Sequence, residues 1–205
     1  MKWLAPTLVY ITVAVGIFYF QSAWGALLAF HLAIVSSLLI ARPNIPISIL
    51  AKNHNRKWIV LSVLLCGSSG VSLYFLWNYL GFRPDFSAQV ESLGLNSLTW
   101  PPFILYFALV NPFLEEYFWR GYLGNPTKGL SRSDFLYAGY HALIMIGKLP
   151  VAWIMCGVAA LVIAGWFWRQ IMREGQGLLA PVLGHIAADL TIPLVICLNV
   201  QGVLT

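Results

Sequence analysis

Apolar runs of about twenty residues recur along this chain and decide what it can fold into. From Trp3 to Phe20 there is no Asp, Glu, Lys or Arg, and none from Trp24 to Ala41. A backbone placed in hydrocarbon must satisfy every N–H and C=O internally, which leaves helices or closed barrels. Barrel strands read as short alternating segments. These runs are continuous and match the roughly 20 residues that a spanning helix needs. Seven segments fit, at about 3–20, 24–41, 58–80, 100–122, 133–148, 150–170 and 178–201. The expected fold is therefore all-α, a polytopic transmembrane bundle of about seven helices. The fifth segment is short enough to be tilted or partly re-entrant. Hydrophobic residues form 60% of the chain, charged residues 9%, and the mean hydropathy is +0.78. Soluble domains carry about 25% charged residues, so a soluble class is excluded. No long polar block interrupts the 205 residues, and the reading is a single integral membrane domain over 1–205. The first run is long for a signal-peptide core and lacks a small-x-small cleavage site, so it reads as a retained helix.

The basic residues test this layout. Seven spans with a cytoplasmic N-terminus place Lys2, Arg42, Lys52, Arg56, Lys57, Lys128, Arg132, Arg169 and Arg173 on the cytoplasmic side. Only Arg83 and Lys148 fall opposite. That is the bias of the positive-inside rule. The net charge of +5 then reflects topology and contact with anionic lipid, with no nucleic-acid partner implied. Cys66, Cys156 and Cys197 lie in apolar runs without a CxxC pair, and read as packing residues.

Against this background the pair Glu115–Glu116, followed by Arg120, is costly. One charge at the bilayer centre costs roughly 2.5–3.5 kcal/mol on insertion scales, and two adjacent carboxylates repel as well. Glu116 and Arg120 are spaced i, i+4 and can pair. Glu115 is rotated about 100° from Glu116, so one carboxylate can be neutralised while the other faces a cavity. Asn111, four residues before Glu115, can hydrogen-bond to it. A carboxylate held away from water suits general-base work. His141 lies on the next apolar segment. His185 and Asp189 share one face of the last, where such a pair can orient a water or stabilise an oxyanion. These groups are expected to meet in the cytoplasmic half of the membrane. His31 and His54 have no partner at helical spacing, and read as a packing residue and a solvated loop residue.

The run from Glu115 to Arg120 resembles the EExxxR signature of the CAAX protease and bacteriocin-processing family, glutamate-dependent intramembrane proteases that include the Ras-converting CAAX prenyl endopeptidase. Tyr137 and His141 are similar to its second motif, with Tyr where Phe is usual. His185 and Asp189 are similar to the third, with Asp189 where prenyl-protein members carry Asn. Trp119 replaces a common Phe. The three motifs occur in family order between Glu115 and Asp189. The resemblance implies a peptidase without metal or other cofactor, its catalytic core on helices 100–201. It implies Glu115 as the base that activates water and His141 as the group that positions it. His185 and Asp189 would line the oxyanion site, and Glu116 and Arg120 would shape the pocket. It also implies that the substrate is the C-terminus of a membrane-associated or lipidated protein, contacted at the lipid surface. The chain's short length resembles the prokaryotic members, in a plasma membrane.

Three rival readings follow from the residues. Glu115, His141 and His185 could supply a His₂Glu zinc site, although no HExxH is present. Gly67-Ser68-Ser69-Gly70 fits the GxSG of a serine rhomboid, but small residues in membrane helices also serve close packing. Buried carboxylates and histidines also serve transporters or non-catalytic scaffolds, here without visible inverted repeats.

Overall fold

The structure, a computed structural model, describes residues 2–52, 55–175 and 177–203; His54 lies outside them. The described residues form eight α-helices: α1 (Ala5–Ala14), α2 (Ala23–Ala41), α3 (Arg56–Leu76), α4 (Phe86–Ser92), α5 (Trp100–Glu116), α6 (Arg132–Met145), α7 (Val151–Arg173) and α8 (Leu179–Val200). Two of them continue into π-helical turns, α1 through Val15–Tyr19 and α5 through Tyr117–Tyr122.

Among the described residues, five stretches are long and apolar enough to cross a membrane: Lys2–Tyr19, Ala23–Ala41, Arg56–Tyr79, Val151–Arg173 and Leu179–Val200. Large side chains such as Ile40, Leu64, Phe75, Val151 and Met155 point outward from them, as lipid-facing residues must. The other two expected segments are different in kind. α5 with its π turn is continuous, but Asn111, Glu115, Glu116 and Arg120 keep it off the strongly apolar set. α6 has 14 residues, or about 21 Å, too short to cross a hydrocarbon core of about 30 Å. The sequence count of seven is thus five clear spans plus two polar, site-bearing helices.

Small residues set the closest contacts. A Cβ on Gly16 would lie 2.4 Å from the Ala26 Cα, which closes the α1–α2 hairpin. Ser22 caps α2 by accepting from the Gly25 N–H at 3.0 Å. α3 packs along α8, where a Cβ on Gly70 would stand 2.5 Å from the Thr191 Cβ and one on Gly184 would stand 2.8 Å from the Ser62 Cβ. The small-residue stretch of α3 therefore serves helix approach. Ser68 Oγ donates back to the Leu65 carbonyl at 2.7 Å. Of the cysteines, Cys197 is buried and Cys66 partly buried, whereas Cys156 is exposed on α7. Cys156 is therefore an outward-facing residue and not a packing one.

The connection from α2 to α3 folds back over the bundle. Ile49 and Lys52 carbonyls accept from the Leu178 and Leu179 N–H groups at 2.9 and 3.1 Å, serving the otherwise unpaired donors at the start of α8. Tyr117 Oη donates to the Ile45 carbonyl at 2.6 Å. Gly177, at φ +79°, passes so close to Lys52 that a Cβ would meet its carbonyl oxygen at 2.4 Å.

Candidate active site

α5 carries the two glutamates at its end, just before the helical register changes. Pro112 lies buried within this helix and lacks an N–H for the ladder. Beyond Glu116 the helix widens into the π turn, and the Leu123 N–H reaches back to the Phe118 carbonyl at 2.9 Å. Such widened turns recur at functional sites. Glu115 is 1% and Glu116 0% exposed. The sequence expected one of them to face a cavity, but both are enclosed by side chains.

The 100° turn between them separates their partners. Glu116 Oε1 accepts from Arg120 Nη1 at 3.0 Å and from His185 Nδ1 at 2.9 Å. Glu115 Oε1 accepts from Asn111 Nδ2 at 2.9 Å and from Tyr140 Oη at 2.5 Å. One glutamate is thus held by cationic or ionisable donors and the other by neutral ones. The second oxygen of each is buried with no hydrogen-bond partner among the described residues.

α8 supplies His185 and Asp189, one turn apart. His185 lies between two carboxylates, its Nδ1 on Glu116 and its Nε2 3.5 Å from Asp189 Oδ1. Trp168 of α7 stacks on its ring at 5.3 Å and 26°. Asp189 Oδ2 accepts from Asn111 Nδ2 at 2.9 Å. Asn111 therefore joins Glu115 on its own helix to Asp189 on α8. The Arg120 guanidinium sits 3.8 Å over the Tyr137 ring and 4.9 Å over that of Trp168, a cation–π enclosure. Gly165 leaves room for it, because a Cβ there would lie 3.3 Å from Arg120 Nη2.

α6 brings Tyr137, Tyr140 and His141. His141 Nδ1 bonds to the Tyr137 carbonyl at 2.9 Å. A carbonyl only accepts, so this nitrogen carries the proton, and in the neutral ring Nε2 remains an acceptor. His141 is joined to the glutamates through Tyr140, whose ring lies 4.0 Å from the imidazole and whose hydroxyl reaches Glu115. Of the residues singled out from sequence, Asn111, Glu115, Glu116, Arg120, Tyr137, His185 and Asp189 form one contiguous cluster, and His141 lies at its edge.

Three features escaped the sequence reading. His31 is a networked residue and not a packing one: its Nε2 lies 3.0 Å from Asn111 Oδ1 and its Nδ1 3.1 Å from Tyr106 Oη. Nothing in local spacing could signal a contact across 80 residues. Tyr140 has no motif of its own, although it adjoins His141. The third feature had a readable cue, since Ser131-x-x-Asp134 is a capping-box pattern, and both of its hydrogen bonds form at the start of α6. Asp134 also pairs with Arg169 of α7 through bonds of 2.9 and 2.7 Å. Arg169 further donates to the Asn125, Thr127 and Gly129 carbonyls, which fastens the loop before α6. Among the described residues no three His, Cys, Asp or Glu side chains are grouped as a metal site.

Five apolar helices around a buried cluster of carboxylates, histidines and an arginine define an integral membrane protein with a polar site. The sequence profile of the family described as Type II CAAX prenyl endopeptidase Rce1-like matches residues 97–191. That segment is similar to the family, and it holds all three motifs. The class that the family defines is the CAAX-type endopeptidase working within the membrane. No curated protein and no solved structure matches the chain.

Proposed function

We propose that this protein is a glutamate-type intramembrane endopeptidase that cuts near the C-terminus of membrane-associated or lipidated peptides, with its catalytic core on helices 100–201. The observation that carries the reading is the unequal company of the adjacent glutamates. Glu116 is committed to Arg120 and His185. Among the described residues, Glu115 accepts only from two neutral donors, so its charge is not committed to a cation.

In this reading Glu115 takes a proton from water as the water attacks the scissile carbonyl. Orientation of that water falls to His141 Nε2, the acceptor left once Nδ1–H is bound to Tyr137. His185 lies beside the developing oxyanion. Asp189 is turned toward Asn111 and His185 as an acceptor, so its role is to orient its neighbours and not to donate. In this reading catalysis uses no metal: Glu116 has its counter-charge in Arg120, and Glu115 acts on the water directly. The peptide substrate enters from the lipid, and the N-terminus faces the cytoplasm.

The test is cleavage of farnesylated and unprenylated C-terminal peptides by purified protein in detergent, with a strong chelator present. Glu115→Gln is expected to lower kcat by about 10²–10⁴-fold, the usual contribution of a positioned base. Cleavage that stops on chelation sinks metal independence, and cleavage that survives Glu115→Gln sinks the assignment of the base.

A further inference from the structure

The cluster around Glu115 is tied to α2, a helix outside the segment that matches the family profile. Asn111 is the joint. Its Nδ2 faces Glu115 Oε1 at 2.9 Å and Asp189 Oδ2 at 2.9 Å. Ionised carboxylate oxygens only accept, so both hydrogens of this amide are used. The amide oxygen then needs a donor, and the group beside it is His31 Nε2 at 3.0 Å. That nitrogen must carry a hydrogen. In a neutral imidazole the other nitrogen then accepts, and Tyr106 Oη stands 3.1 Å from it. The hydrogen bonds from Tyr106 through His31 and Asn111 to the two carboxylates can therefore run in one direction only.

We infer that His31 is a positioning residue that fixes the orientation of the Asn111 amide and so holds Glu115 and Asp189 together. The amide's two ends are nearly equal in shape and opposite in hydrogen-bonding sense. Without a donor at its oxygen, the amide is held from the carboxylate side alone, and its buried oxygen is left unpaired, which weakens the hold on this orientation. Turned over, it sets an oxygen against Glu115 and Asp189, and the pair separates. His31 is itself held in place: it is buried, and its ring packs 5.6 Å from Phe30 and 5.5 Å from Tyr106. Its effect on turnover rests on the proteolytic reading above; its direction of hydrogen bonding does not.

Two measurements separate these. In wild type labelled with ¹⁵N-histidine and held in detergent micelles, NMR is expected to show His31 as the Nε2–H tautomer with Nδ1 unprotonated. An Nδ1–H tautomer overturns the inference whatever the enzyme does. For turnover, His31→Phe keeps the ring but removes the donor, and His31→Gln returns an amide N–H near the place of Nε2. With the thermal midpoint held, His31→Phe is expected to lower kcat for peptide cleavage by about tenfold or more at unchanged KM, as small misplacements of reacting groups do. His31→Gln is expected to restore most of it. Equal kcat in all three proteins overturns the inference. Absence of cleavage by wild type counts against the proteolytic reading alone, and the tautomer then decides the polarity of the network.

Discussion

Replacing Glu116 by Leu tests a different property from replacing its neighbour. Arg120 is 2% exposed and has Glu116 as its salt-bridge partner. Removing one member of a buried ion pair leaves an uncompensated charge and costs roughly 3–5 kcal/mol. Glu116→Leu is therefore expected to lower the thermal midpoint in detergent strongly, whereas Glu115→Gln leaves it close to wild type. Equal melting of the two variants would contradict the division of labour between them. The sequence made much of this readable, because the i, i+4 rule places Arg120 on Glu116 and Asp189 beside His185. It could not reveal His31 or Tyr140, whose contacts arise when α2 and α6 pack against α5. Nor could it show that Asp189 accepts from Asn111, since that bond joins two helices.

The small residues of α3 make a testable claim about how helices meet. A Cβ on Gly70 would stand 2.5 Å from Thr191 on α8, so Gly70→Val must part the two helices. Overpacking of this kind costs typically about 1–3 kcal/mol, and because α8 carries His185 and Asp189, cleavage is expected to fall with stability. Ser69→Ala, one position away, is expected to change neither measurably. Melting curves and cleavage rates of both variants check this, and loss of activity in Ser69→Ala would revive a serine nucleophile. Helices at this scale were legible from their apolar runs. The π turn after Glu116 was not, since no residue type marks it. The shortness of α6 was legible in part: the fifth segment already read as short, but its stretch continues to Leu149, whereas the helix itself ends at Met145.

Orientation belongs to the whole molecule. The excess of Lys and Arg on one side predicts a cytoplasmic N-terminus. With Cys66, Cys156 and Cys197 replaced by Ala, a membrane-impermeant thiol reagent on intact cells is expected to label Arg83→Cys. Arg173→Cys should react only after permeabilisation, and the reverse pattern inverts the topology. At this scale the sequence conveyed the class of fold through hydropathy alone. It did not convey that the candidate chemistry is shared between the two least apolar helices, α5 and α6, and one of the strongly apolar spans, α8. The α2–α3 connection, whose carbonyls receive the first N–H groups of α8 and the Tyr117 hydroxyl, has a practical consequence for anyone engineering this protein. It is in effect a fixed spacer between two motif-bearing helices. An epitope tag or reporter domain spliced into residues 43–52 would shift Tyr117 and the start of α8 together, while the same insert at Gly147, an exposed turn with open space around its Cα, leaves that spacing untouched.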